Sequence, residues 1–319
     1  MNNMSLQAAK AMRYSEFYTR FVDVQDELNH YSSEFKDKVI YCNCDVPERS
    51  AFWRYFHLNF KRLGLKKLIA TYYNREGHSF AFSYWGGNDA DVSCCSFWEL
   101  EGNGDFRSHE CIELLNASDI IVTNPPFDLF REYVDLIMRH NKKCLILGSI
   151  NAVMYVTVFP YIMHNKLWLG YRSLNKDMLF DVPCDYVDYL VNNKQEGSAY
   201  RVVDDKVYMR LASVCWYTNL YVAKRFDPFL FKRVYDSKSY DCFDNYDAIN
   251  INRVADIPYG YNGVMGVPVT FLDKYNPDQF EIVGCSNKHG RPAFWDSSVS
   301  MIPYVNGKEI YKRIFVRVK

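Results

Sequence analysis

Several things are missing from this chain of 319 residues, and each absence removes a class of protein. Net charge is missing: 38 Lys and Arg stand against 38 Asp and Glu, so no overall field draws the chain toward a polyanion or a membrane. Any such partner must meet a local basic surface. No uninterrupted apolar run approaches the roughly 20 residues of a membrane span. The stretch from Met1 to Met12 lacks the apolar core of a signal peptide, so a cytoplasmic protein without a membrane partner is expected. Zinc-knuckle spacing is missing among the ten cysteines, and neither His78 nor His109 stands at ligand spacing to them, so no metal site is expected. The cysteines are also too few and too irregular for a secreted disulfide scaffold, which leaves buried free thiols as their expected state. Internal repeats and low-complexity linkers are absent as well.

What is there is an ordinary globular composition with an excess of rings. Apolar residues make up 49%, enough for the core of one large domain or two modest ones. Aromatic residues reach 17%; such side chains fill cores and interfaces first and stack on nucleic-acid bases second. From Lys38 the pattern alternates between strand and helix. Val39 to Cys42 reads as a strand, followed by a helix with Phe52, Phe56, Phe60 and Leu63 on one face and Gly64 at its end. Asp45 and Glu48 suggest a capping box at its start. Leu68 to Tyr73, Asp119 to Thr123 and Cys144 to Leu147 read as further strands, and Asp128 as the cap of a helix through Phe130, Val134 and Ile137. The segment between Gly77 and Gly104 reads as a β excursion, and Val207 to Tyr221 as one long strand. Such alternation predicts an α/β protein with a doubly wound, mainly parallel sheet and ligand sites at strand C-termini. Beyond Phe226 the chain turns aromatic, with clusters of Gly and Pro, which places a domain boundary between 1–225 and 226–319.

One tetrapeptide carries chemistry. Asn124-Pro125-Pro126-Phe127 follows a buried strand directly. Two prolines in succession fix φ near −65° and donate no hydrogen bond, so the chain leaves the sheet in a rigid, extended turn. That turn offers the Asn124 side-chain oxygen and the Pro125 carbonyl as fixed acceptors, a pairing suited to a planar amine with two N–H groups. Phe127 supplies a ring on which a flat group can stack.

The tetrapeptide resembles the catalytic signature of amino-group methyltransferases that use S-adenosylmethionine. Gly104-Asp105-Phe106 stands where that superfamily carries the acid that contacts the cofactor's adenine. The likeness narrows when other segments are added in order: Phe17-Tyr18-Thr19, Tyr41-Cys-Asn43-Cys44-Asp45, Thr123 to Phe127, Cys215-Trp-Tyr-Thr-Asn219, Gly266-Val-Pro-Val-Thr-Phe271 and Leu272-Asp-Lys-Tyr-Asn276. The set is similar to the EcoRI-type adenine-specific DNA methyltransferases from about residue 14 to the C-terminus. The resemblance implies a seven-stranded, Rossmann-like methyltransferase sheet over 1–225 and a target-recognition region over 226–319. It also implies methylation of adenine N6 at a short site in double-stranded DNA, for restriction–modification or for orphan or phage modification. By the same resemblance Asn124, Pro125, Pro126 and Phe127 are catalytic, and Asn124 also borders the cofactor. Phe17, Tyr18, Thr19, Asn43, Cys44, Asp45, Asp105 and Phe106 then bind S-adenosylmethionine.

Two departures stand out: the first turn, Asn43-Cys44-Asp45, has no glycine where the wider superfamily is glycine-rich. The second strand ends in Thr71-Tyr-Tyr-Asn74 without the acid that binds the cofactor ribose, leaving Glu76 as a substitute. A paired adenine cannot reach such a turn, so the target should flip out and stack on Phe127. Phosphate contacts are sought among Lys61-Arg62, Lys66-Lys67, Lys142-Lys143, Lys224-Arg225, Lys232-Arg233 and Lys312-Arg313. Tyr18 and Trp216 are pocket neighbours or core. The oligomeric state stays open, a monomer included. The competing readings are an amino-methyltransferase of RNA guanine or protein glutamine, and a DNA-binding relative that has lost catalysis.

Overall fold

The computed structural model describes residues 18–211, 213–287, 294–295 and 300–319. The chain forms two compact units, Met1–Ser149 with Gly170–Tyr221, and Ile150–Leu169 with Val222–Lys319. In the first unit β1 (Tyr18–Thr19) leads into α1 (Phe21–Leu28). Then follow β2 (Val39–Asn43), α2 (Ala51–Leu58), β3 (Lys67–Thr71), β4 (Phe80–Tyr84) and β5 (Ser96–Glu99). Next come α3 (His109–Ala117), β6 (Ile120–Thr123), α4 (Phe130–Arg139) and β7 (Lys143–Ser149). After the excursion to the second unit the chain adds β8 (Met178–Asp181), α5 (Cys184–Asn193), β9 (Tyr200–Val203), β10 (Lys206–Leu211) and β11 (Val214–Thr218).

Seven of these strands lie side by side in the order β5-β4-β3-β2-β6-β7-β11. The central pairs β3–β2, β2–β6 and β6–β7 are parallel. The outer pairs β4–β3, β5–β4 and β11–β7 are antiparallel. The architecture is thus α/β, as expected, but the sheet is mixed rather than mainly parallel. The connection from Thr71 to Phe80 carries no helix, and without a crossover the chain can only double back. Every residue of β2 and β6 is buried, the mark of strands covered on both faces. From β2 the chain moves to β3 on one side and later returns to β6 on the other, so the C-terminal ends of β2 and β6 flank a topological switch point.

Other expectations shift in detail. Helix α2 starts at Ser50, whose hydroxyl accepts from Trp53 N at 3.1 Å, and not at an Asp45–Glu48 box. After Asn59 one more helical turn, Phe60–Leu63, ends at Gly64 with φ 64°. Asp128 lies in a 3-10 turn, Phe127–Leu129, and α4 begins only after it, at Phe130. The long strand expected over Val207 to Tyr221 is two strands in two sheets, because β10 joins β1, β8 and β9 in the order β1-β8-β10-β9.

A buried carboxylate anchors that second sheet. Glu27 of α1 accepts from Tyr31 Oη at 2.9 Å and from the backbone N–H groups of Tyr171 and Arg172 at 2.6 and 2.7 Å. Arg172 also pairs with Asp23 at 2.9 Å. Helix α1 is thereby tied to the segment that leads into β8, which pairs with β1. The second unit holds β12 (Ile249–Asn250), β13 (Met265–Val267), β14 (Phe280–Cys285) and β15 (Ile314–Val318) in the order β12-β13-β15-β14. Phe243, Tyr246, Val264 and Phe315 form a core cluster there. Among the described residues no helix is long and apolar enough to cross a membrane.

Candidate active site

Strand β6 is a run of Ile, Ile, Val and Thr, residues that favour a pleated and buried chain, and it delivers Asn124 to the switch point. Pro125 is buried and Pro126 holds φ −60° and ψ 126°, so the turn leaves the sheet extended, as two prolines dictate. The Asn124 Oδ1 atom is buried and has no hydrogen-bond partner among the described residues. Buried polar atoms are rarely left so, and an orphaned acceptor at a strand end is a place for a ligand donor. Phe127 is half-buried beside it in sequence.

Across the switch point lies the turn after β2. The missing glycine is replaced in geometry by Cys44, which takes φ 78° although it bears a side chain. This left-handed conformation is the one a glycine would supply, so the chain bends as the glycine-rich pattern does at the cost of local strain. Asn43 is fully buried; its Oδ1 accepts weakly from Thr71 at 3.4 Å, while its Nδ2 has no partner. Asp45 is 6% exposed, and both its carboxyl oxygens bond within the protein. Oδ1 lies 2.6 Å from Ser50 Oγ and Oδ2 lies 2.5 Å from Thr123 Oγ1. Burial pushes Asp45 up to about 7, against the opposing hydrogen bonds of Ser50 and Thr123. The folded chain thus holds a proton that the unfolded chain releases near pH 4, and the stability this gives is lost as pH rises from about 4 to about 7.

The third loop follows β5. Gly104 takes φ 76°, and a β-carbon there would sit 1.9 Å from the carbonyl oxygen of Tyr72. Backbone bonds from Asn74 N to Asn103 O at 2.8 Å and from Ser79 N to Gly102 O at 3.1 Å clamp this loop beside the end of β3. Asp105 then receives Arg107 in a forked pair, Nε to Oδ1 at 2.9 Å and Nη2 to Oδ2 at 2.7 Å. That guanidinium holds the Asp105 carboxyl below its ordinary range. Arg107 also reaches Glu132 of α4 at 2.7 Å. Phe106 is buried edge-on against Tyr133, with ring centroids 4.9 Å apart.

Of the N-terminal motif, Phe17 lies outside the described residues. Thr19 Oγ1 is buried without a partner among the described residues, and Tyr18 faces the Arg49 guanidinium 6.0 Å from its ring centre. Tyr18 and Arg49 line a groove of about 550 Å³ together with Asp181, Val182 and Pro183. These last three residues, and Arg49, carry no motif and were not singled out from the sequence. Thr123 and Ser50 were missed as well, although Ser50 stands where an N-cap is read most easily. Trp216 is 1% exposed and packs edge-on against Phe52, so it belongs to the core. Glu76 lies exposed in a turn.

Several expected phosphate contacts are engaged internally. Lys142 Nζ donates to the carbonyls of Asn116 and Ser118 at 2.7 and 2.8 Å. Lys224 pairs with Asp273 at 2.7 Å, and Arg225 lies over the Trp168 ring at 4.2 Å. Arg313 is buried and bonds to Asn250 Oδ1 at 3.2 Å. Lys61, Arg62, Lys66, Lys232 and Lys312 remain exposed.

Comparison with known proteins agrees with the motif set. Residues 5–319 match the family described as adenine-specific methyltransferase EcoRI. Type II methyltransferase M.EcoRI of Escherichia coli is 42% identical, over 99% of this chain and 97% of its own. Type II methyltransferase M.MgeORF184P of Mycoplasma genitalium is 39% identical, over 97% of both chains. Type II methyltransferase M.MpnI of Mycoplasma pneumoniae is 36% identical, over 97% of this chain and 96% of its own. No solved structure matches. The enzyme is a DNA methyltransferase with adenine as its target base. The chain belongs to the EcoRI family of adenine-specific methyltransferases.

Proposed function

We propose that this enzyme methylates the N6 amine of an adenine flipped out of double-stranded DNA at a short recognition site, as the modification partner of a restriction–modification system. The observation that carries the reading is the buried, unpartnered Asn124 Oδ1 at the switch point. The N6 amine is a weak nucleophile because its lone pair is delocalised into the ring. Asn124 Oδ1 and the Pro125 carbonyl each accept one of its N–H bonds, which favours the pyramidal nitrogen that attacks. One N–H proton is lost to water as the new N–C bond forms. Such fixed acceptors act by electrostatic preorganisation. Phe127 offsets part of the stacking that the flipped base gives up.

S-adenosylmethionine would supply, when bound, a methyl group on a positively charged sulfur, and that sulfur would keep the electron pair of the broken S–C bond and leave as S-adenosylhomocysteine. The residues present fit it: Asn43 Nδ2 and Thr19 Oγ1 are buried polar atoms without partners among the described residues. In this reading Tyr18, Thr19, Asn43, Cys44, Asp105 and Phe106 line its site on a seven-stranded sheet of the methyltransferase kind. Asp105 keeps a free lone pair on Oδ2 beyond its bond to Arg107, enough for one amine N–H of the cofactor's adenine. Asp105→Ala is expected to weaken cofactor binding about tenfold or more while DNA affinity changes little, as one lost charge-assisted hydrogen bond requires. Calorimetry against S-adenosylhomocysteine checks this, and unchanged affinity would remove Asp105 from the site.

Residues 226–319 are proposed to read much of the recognition sequence, with the exposed lysines holding phosphates. Since Lys142, Lys224 and Arg313 are engaged internally, the slope of log affinity against log salt should correspond to a few phosphates and not to every basic pair. Fluorescence anisotropy over a salt series measures it; a flat response would point to a protein or small-molecule substrate.

The reading as a whole is tested with methyl-labelled cofactor and plasmid DNA from a methylation-free host. Label on adenine N6 within one short sequence is the expected result. Label in RNA or protein, or binding without transfer, would replace it with one of the two competing readings.

A further inference from the structure

We infer that Asp45 is a positioning residue held as a carboxylic acid, whose O–H donates to Thr123 Oγ1 and so locks the end of β2 to the turn that carries Asn124. The inference rests on the reading of Asn124 as the acceptor of the target amine. The resemblance assigns Asp45 to the cofactor, but the structure gives both of its oxygens to protein partners and leaves the residue 6% exposed.

Counting protons makes the case. Thr123 Oγ1 has one proton and lies against two oxygens, the carbonyl of Asn43 and Asp45 Oδ2 at 2.5 Å. With an ionised Asp45 that single proton would be divided between two acceptors, and one of them would go without it. With a neutral Asp45 every atom is satisfied in one chain. The carboxyl donates to Thr123, Thr123 donates to the Asn43 carbonyl, and Ser50 donates to Asp45 Oδ1 at 2.6 Å. Ser50 Oγ accepts in turn from Trp53 N, so the same chain fixes the start of α2. Asp45 N also donates to the Thr71 carbonyl at 2.9 Å, which brings the end of β3 into the lock.

The hydroxyls of Ser50 and Thr123 favour the ionised form, and burial outweighs them. Among the described residues the titratable groups that sense Asp45 are the Cys42 thiol on β2, the Cys44 thiol on its own turn and the Tyr133 phenol on α4, all uncharged. Among the described residues no cation pairs with it, and an unpaired buried carboxylate is costly. Thr123 is the residue before Asn124, so the lock sets the direction in which Asn124 Oδ1 points. A misplacement of the order of 1 Å in such a group costs about a hundredfold in rate.

The test compares the enzyme with Asp45→Asn, Asp45→Ala and Thr123→Val in single-turnover methylation of duplex DNA between about pH 6 and 9. An asparagine can donate to Thr123 through Nδ2 and accept from Ser50 through Oδ1. Asp45→Asn should therefore exceed Asp45→Ala in rate by about tenfold or more, and should lack the decline of rate at high pH that is expected of the unmodified enzyme. Thr123→Val should resemble Asp45→Ala, and neither should raise KM for the cofactor by more than about threefold, since positioning acts on the rate. Difference infrared spectra of the enzyme against Asp45→Asn should show the carbonyl stretch of a protonated carboxyl at about pH 6, below the value of about 7 at which Asp45 titrates. A carboxylate band in its place, an Asp45→Asn rate as low as that of Asp45→Ala, or a loss confined to cofactor KM would each overturn the inference. The infrared readout needs no turnover, so an enzyme that methylated no adenine would defeat the functional reading and leave this measurement standing.

Discussion

Asn124→Ala is expected to lower the rate of methyl transfer by about two to three orders of magnitude while the protein stays folded. Both halves of that expectation come from one atom. Asn124 Oδ1 makes no bond among the described residues, so deleting it should leave the fold intact and remove a buried acceptor without a partner there. The melting temperature should therefore hold or rise slightly. The rate falls because that acceptor is available to the amine alone, and Pro125 is left to polarise only one of two N–H bonds. Cofactor affinity should change by less than about threefold, because the lost contact acts in the transition state. Rapid-quench single turnover, calorimetry and a thermal melt on one preparation separate these quantities. A folded variant that transfers methyl at a near-normal rate would end the assignment.

The turn that makes this prediction possible was legible in the sequence because proline leaves the backbone so little choice. A strand of β-branched residues followed by two prolines has one way to continue, and the structure takes it. The central strands were legible for a similar reason: short apolar runs bounded by turns must be buried on both faces. Strand direction at the sheet margins was not, since β4 and β11 carry the same residue types whether they run parallel or antiparallel, and connection length decides between the two. The split of Val207 to Tyr221 escaped because a β-rich run does not say which sheet each half will join. The bond between Asp45 and Thr123 escaped for a different reason. Asp45 reads as a helix cap from its neighbours in sequence, whereas Thr123 stands 78 positions away. Likewise Cys44 offers no hint in its chemistry that it will adopt a glycine's conformation. Contacts across that separation are set by the sheet order, which a single sequence does not print.

Gly104→Val should produce the largest loss of stability of any single change near the site, about 3 kcal/mol or more, and with it the loss of measurable cofactor binding. Two independent costs meet at this position. Its φ of 76° lies where an L side chain, and a β-branched one most of all, is strained by roughly 1 to 2 kcal/mol. A β-carbon would also stand 1.9 Å from the Tyr72 carbonyl oxygen and 2.8 Å from Ser79 Oγ. The nearest of these is backbone, and Ser79 Oγ is itself bonded to the same carbonyl at 2.5 Å, so neither can swing aside as the tip of a long side chain would. The loop must move away from the end of β3, and Asp105 and Phe106 go with it. Gly102→Ala is the matched control two residues earlier, because its φ lies outside the left-handed region and its new β-carbon would meet only Glu110 Oε2 at 3.5 Å. That variant should cost within about 1 kcal/mol, the ordinary effect of adding a methyl group to a loop. Urea unfolding of the two variants, each with a titration of S-adenosylhomocysteine, measures both consequences. Equal stabilities would show that the loop yields to a side chain at Gly104. A destabilised Gly104→Val that still bound the cofactor normally would separate this loop from the cofactor site and take Asp105 out of it.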